Sequence, residues 1–168
     1  MNIPVKVHAV ISDPNAGGDV QIVLLKDTQN LEVIPIWVGL TEGKAIRCML
    51  EGIVPPRPLS HDLLNDLLRH LNVEMEKAVI NEISGNVYFA TLHLTQKGIP
   101  ATGDLSDAAV PPYREITLDA RPSDAIAIAL RTGAPIYASE EVLSGGGENN
   151  LDSWLEKMKP TDFGPYHA

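Results

Sequence analysis

The spacing of apolar and polar positions divides the chain into extended runs, helical stretches and a glycine-rich tail. Val5 to Ser12, Val20 to Leu25 and Leu31 to Val38 are short apolar runs separated by turn residues, among them Asp13-Pro14-Asn15, Ala16-Gly17-Gly18-Asp19 and Lys26 to Asn30. Such runs predict an antiparallel meander. Pro35 falls inside the third, where a missing N–H suits only an edge strand or a bulge. From Thr41 to about Glu51 the spacing becomes helical. Thr41 is the expected cap, Gly52 the stop, and Ala45, Ile46, Met49 and Leu50 the core-facing side.

Val54 to Leu59 holds Pro55, Pro56 and Pro58, which make a stiff, extended connection. Ser60 then reads as the cap of a second helix with Leu63, Leu64, Leu67, Leu68 and Leu71 as its apolar stripe. Val73 to Ile83 and Val87 to Gln96 flank Ser84-Gly85-Asn86 and predict a β-hairpin, with His93 on its outer face. Lys97 to Pro112 has no periodicity and is the longest irregular segment; Tyr113 to Leu118 returns to strand.

The most informative stretch runs from Asp119 to Tyr137. Pro122 suits a first helical turn, Ser123 and Asp124 offer acceptors to its free N–H groups, and Gly133 and Pro135 end the helix. Between them Ala125 to Leu130 is apolar on every side, which places this helix inside the molecule. Asp119, Arg121, Ser123 and Asp124 crowd its entrance. Residues 1–143 read as one domain, 144–150 as a Gly-rich linker, and 151–168 as an appendage whose Leu151, Trp154, Leu155 and Met158 recur at helical spacing.

Composition narrows the function. The 168 residues carry 13 Lys and Arg against 22 Asp and Glu, a net charge of −9, which argues against nucleic-acid binding through a basic face. An enzyme that reaches phosphate through a metal ion is compatible with an acidic surface. No apolar run approaches the ~20 residues of a membrane span, and the first residues lack signal-peptide character, so a cytoplasmic location without membrane partners is expected. The single cysteine, Cys48, excludes an internal disulfide and reads as a small buried hydrophobe.

No phosphate-loop, dinucleotide, zinc-protease or nucleophile-elbow motif is present. The remaining candidates are carboxylates and a histidine from separate segments. Asp119 and Asp124 flank one helix entrance, His61 and Asp62 open another, and Glu51 closes a third. Mg²⁺ or Mn²⁺ needs one or two such carboxylates, and Arg57 and Arg121 are natural phosphate partners. A structural reading competes: Asp124 caps its helix, Arg121 pairs with Asp119, and Arg57 braces the prolines.

Three blocks then carry a resemblance: Ile34-Pro35-Ile36-Trp37-Val38-Gly39, Pro55 to Leu63, and Asp119 to Arg131. Together they resemble the signature blocks of the bifunctional nuclease domain family of bacteria and plants, formerly catalogued as a domain of unknown function. The resemblance spans about Val5 to Leu143, with Ser60 where many members have Thr. It implies a compact α+β domain, usually oligomeric, with nuclease activity on DNA and RNA. The expected fold is a mixed, mainly antiparallel sheet with about three packed helices, one central and buried. The expected assembly is a homo-oligomer, with a dimer as the first guess.

The expected chemistry is metal-assisted phosphodiester hydrolysis. Asp119, Asp124 and Glu51 or Asp62 hold Mg²⁺ or Mn²⁺; Arg57, Arg121 and Ser123 contact substrate; His61 is the acid or base. The alternative is a non-catalytic oligomeric interaction module in which the same polar cluster is structural.

Overall fold

A computed structural model describes residues 1–13, 16–28, 32–85, 87–98 and 113–146. The irregular segment at 99–112, and the tail at 147–168 with the last four residues of the expected linker and the whole appendage, lie outside these residues. In chain order the elements are β1 (Asn2–Ser12), β2 (Val20–Asp27), β3 (Val33–Gly39), α1 (Leu40–Leu50), α2 (Ser60–His70), β4 (Val73–Ser84), β5 (Val87–Lys97), β6 (Tyr113–Ala120), α3 (Pro122–Thr132), β7 (Ile136–Ser139) and α4 (Glu140–Gly146).

The strands form one sheet in the order β3-β2-β1-β7-β4-β5-β6. It consists of two antiparallel meanders, β1–β3 and β4–β6, joined through the short β7. β7 runs antiparallel to β1 and parallel to β4. The expected α+β class and mainly antiparallel sheet are therefore what the chain builds. Pro35 sits on the edge strand β3, opposite Leu24, where its absent N–H costs no outer ladder bond.

The main core lies on the helical side of the sheet. Val23, Leu25, Ile34, Ile36, Ala78, Ile80, Ala90 and Leu92 pack there around Ala125 to Ala129 of α3. Seven of the eleven α3 residues are buried, as an all-apolar helix requires, and Gly133 ends it with φ 74°. The sheet curls enough for α4 to touch both edge strand β3 and central strand β4. A bulge between Val7 and Ala9 shifts the alternation of β1, so Ile11 joins Ile22 and Leu24 in a smaller cluster on the opposite face.

Three local expectations need correction. The caps are Gly39, Leu59 and Arg121, and none of these three residues caps its helix with its own side chain; Thr41 and Ser60 are already helical. In α1 the buried residues are Gly43, Ala45, Ile46 and Cys48, while Met49 and Leu50 are 37% and 42% exposed. Gly43 explains this rotation. A Cβ there would stand 2.4 Å from Gln21 Oε1 and 3.0 Å from Gln21 Cβ, so α1 lies close against β2 at this position and a larger residue would have to displace Gln21. In α2 the leucines do not enter the core: only Leu68 packs against it, and His61 is the one fully buried residue of the helix. α4 runs to Gly146.

Candidate functional site

The entrances of α1, α2 and α3 meet. Each helix carries an acidic residue at its third position, Glu42, Asp62 and Asp124, where a carboxylate complements the positive end of the helix dipole. None of the three simply caps its own helix. His61 Nε2 lies 3.0 Å from Asp124 Oδ1, joining α2 to α3. Arg121 grips Asp124 through Nε at 2.7 Å and a terminal nitrogen at 3.0 Å, and it reaches Glu42 Oε1 of α1 at 3.0 Å. Glu42 folds back over the start of its helix, since a Cβ on Gly39 would meet Glu42 Oε2 at 2.6 Å. Gly39 itself is extended, with φ −68° and ψ 163°.

Burial divides this group into an anchored base and an open rim. The His61 side chain is 10% exposed and Asp124 28%, whereas Arg121 is 66% exposed. Desolvation pushes the Asp124 carboxyl upward, but the hydrogen bonds and charges of Arg121 and His61 outweigh it and hold the group below its ordinary 3.8. Asp124 and then Glu42 raise Arg121 still higher. In the tautomer that donates Nε2–H to the Asp124 carboxylate, Nδ1 of His61 carries the lone pair.

A second pair braces the site from below. Arg131 Nε donates to Asp62 Oδ1 at 2.6 Å, and the same guanidinium donates to the carbonyls of Ala127 and Ala45. Asp62 Oδ2 accepts the Leu59 N–H at 2.7 Å. One aspartate therefore fixes the start of α2 and ties it to α3, while its arginine ties α3 to α1. Desolvation again pushes Asp62 up, and Leu59 N–H and Arg131 together hold it below 3.8.

The sequence candidates separate accordingly. His61, Asp124 and Arg121 come together in one contact network, and Asp62 stands behind them, engaged at both oxygens. Asp119 is exposed near the end of β6 and pairs with neither Arg121 nor, among the described residues, any other cation. Glu51 is the C-cap of α1, nine residues beyond Glu42, or roughly 14 Å along the axis. Arg57 is exposed in the proline segment without an ion pair among the described residues. Ser123 is buried, with 6% of its surface exposed. Two participants were missed, Glu42 and Arg131. An acid three residues after a glycine and a base in a last helical turn are ordinary helix features, so neither signals a partner on another element.

Among the described residues no group of three or more His, Cys, Asp or Glu side chains is placed to hold a metal ion. The expected set of Asp119, Asp124 and Glu51 is thus not assembled as a protein cage. Asp124 and Glu42 both face the same guanidinium, that of Arg121. Cys48 is buried at 7% exposure, as expected of a small hydrophobe. No helix among the described residues is long and apolar enough to cross a membrane.

Comparison with known proteins agrees with the three blocks. The bifunctional nuclease domain family matches residues 23–150. An uncharacterized protein of Mycobacterium tuberculosis is 35% identical over 126 residues, covering 75% of this chain and 66% of that protein. "Bifunctional nuclease 2" of Arabidopsis thaliana is 26% identical over 152 residues, covering 90% of this chain and 43% of the plant protein. "Bifunctional nuclease" of Oryza minuta is 25% identical over 145 residues, covering 86% and 38%. The chain spans just under two thirds of the mycobacterial relative and less than half of the plant ones. Block spacing, fold and profile agree: this chain belongs to the bifunctional nuclease domain family.

Proposed function

We propose that the chain hydrolyses phosphodiester bonds in DNA or RNA at the meeting point of α1, α2 and α3. The observation that carries this reading is the His61–Asp124–Arg121 contact, which joins two of the family blocks at the mouth of the buried helix. His61, oriented by Asp124, takes a proton from the attacking water; after the P–O bond breaks it returns a proton to the leaving oxygen. Arg121 contacts the phosphate, with Arg57 as a second guanidinium on the lead-in to α2. Asp62 acts through position, holding His61 by fixing the start of its helix.

Charge supports a divalent cofactor. Glu42 and Asp124 against Arg121 leave the group one negative charge in surplus with His61 neutral, which disfavours a bare phosphate. Mg²⁺ or Mn²⁺ held by Asp124 with Glu42, or with the exposed Asp119, would supply charge neutralisation at the phosphate. The competing reading is a non-catalytic module, favoured by the full engagement of both Asp62 and Asp124 oxygens.

Extensively purified protein is assayed on DNA and RNA with Mg²⁺ or Mn²⁺ and with chelator, beside His61→Gln and Asp124→Asn. Cleavage that disappears in chelator and in both folded variants supports the reading. Cleavage equal in all three proteins removes this site from the activity, and an inactive parent chain favours the module.

A further inference from the structure

We propose that the outward face of β4, β5 and β6 holds a site for a nucleoside monophosphate, on the side of the sheet away from the helices. The strand registers set its rows. Lys77 of β4, His93 of β5 and Thr117 of β6 stand side by side; Thr95 and Glu115 form the next row, and Lys97 and Tyr113 the one after. Leu92 and Leu94, on either side of His93, enter the main core, so by alternation His93, Thr95 and Lys97 point away from it. These residues line a hollow of about 740 Å³, within the roughly 300–1,000 Å³ of small-molecule sites. None of them belongs to the group at the helix entrances.

The polar groups of the first row are unengaged. The side chains of Lys77 and His93 are half-buried, and neither makes a hydrogen bond or ion pair among the described residues. Burial, and then the charge of Lys77 beside it, hold His93 below its ordinary 6.5, so the imidazole is neutral at neutral pH. An ammonium without a counter-ion, an imidazole and a threonine hydroxyl are the donors a phosphate asks for. A bound phosphate also favours the protonated ring, which adds a second positive charge. Glu76, in the bulge before Lys77, is exposed at the rim, where water screens it.

The order of the rows selects the rest of the ligand. Two residues along β5 and β6, roughly 7 Å from the first row, Thr95 and Glu115 offer acceptors to sugar hydroxyls, as an acidic side chain does for a ribose. Another two residues on, Tyr113 is 47% exposed and presents a ring on which a base stacks. Cation, carboxylate and aromatic ring follow one another as phosphate, sugar and base do. Lys97, beside Tyr113, is already paired with Glu74, which leaves Lys77 as the cationic end. Glu115 opposes a second phosphate in the middle row, which favours a monophosphate. The site does not depend on the nuclease reading.

The test is isothermal titration calorimetry of the full chain with adenosine 5′-monophosphate, beside adenosine and inorganic phosphate. The monophosphate is expected to bind more tightly than either fragment. Lys77→Met and Tyr113→Ala are each expected to weaken it by about tenfold or more with unchanged circular dichroism. Tyr113 is exposed, so its variant keeps the test open if Lys77→Met fails to fold. His61→Gln, at the helix entrances, is expected to bind as the parent does. No binding by the parent, equal binding by the folded outer-face variants, or a loss confined to His61→Gln overturns the proposal. Inorganic phosphate bound as tightly as the nucleotide overturns the assignment of sugar and base.

Discussion

Removing the Asp62 carboxylate tests the brace beneath the site. The Arg131 side chain is 3% exposed and Asp62 26%, so the two halves of the pair are unequal. Asp62→Ala strands a buried guanidinium and also removes the acceptor for Leu59 N–H. Stranding one partner of a buried pair costs about 3–5 kcal/mol. Arg131 keeps two carbonyl acceptors, Ala127 and Ala45, which places the cost at the lower end, near ~3 kcal/mol. Arg131→Met instead leaves a carboxylate that water can reach and refills the space with apolar atoms, so its cost is smaller, about 1–2 kcal/mol.

With both changed, nothing buried is left charged. The double variant is expected to be less destabilised than the sum of the singles by about 2 kcal/mol. Urea unfolding of the four proteins, read by circular dichroism with a common slope, gives the coupling directly. In a chain of this length each kcal/mol corresponds to roughly 2–4 °C in Tm. Additive single-variant costs, or an Arg131→Met loss larger than that of Asp62→Ala, would refute the asymmetry argued from burial.

Further outcomes follow from the same contacts. Gly43→Ala places a methyl 2.4 Å from Gln21 Oε1 and 3.0 Å from Gln21 Cβ; the expected net loss is about 1–3 kcal/mol in urea, despite the better helix propensity of alanine. Acid should unfold the protein partly through Asp62 and Asp124. Both carboxyls titrate lower folded than unfolded, so their contribution is complete above 3.8 and is lost as pH falls through their folded values. Asp62→Asn with Asp124→Asn is expected to flatten the stability–pH curve below about pH 4, and an unchanged curve would count against both pairings.

The sequence made the strands, hairpin and buried helix legible because each has a local cause. Alternation marks a half-buried strand, Ser84-Gly85 a tight turn, and an unbroken apolar run ended by Gly133 a covered helix. It misled where a neighbour decides. The α2 leucines have the spacing of a core-facing stripe, yet periodicity cannot say whether the apolar face meets this chain's own core. The rotation of α1 depends on Gln21, distant in sequence, which Gly43 admits. The same limit governs the site. His61, Asp124 and Arg121 were recognisable as polar residues at helix entrances, whereas Glu42 and Arg131 owe their roles to side chains on other elements. Asp119 and Glu51 were chosen as carboxylates near helix ends, but Glu51 closes α1 at the end away from Glu42.

The claim that matters most is that His61 and Asp124 do chemistry rather than only hold α2 against α3. Chelator-sensitive cleavage of DNA and RNA, measured for the parent, His61→Gln and Asp124→Asn with folding checked by circular dichroism, addresses it directly. The account expects cleavage by the parent with Mg²⁺ or Mn²⁺, and a loss of at least about 100-fold in each folded variant, the scale of a missing general acid or base. Parent-level cleavage by either variant would contradict it.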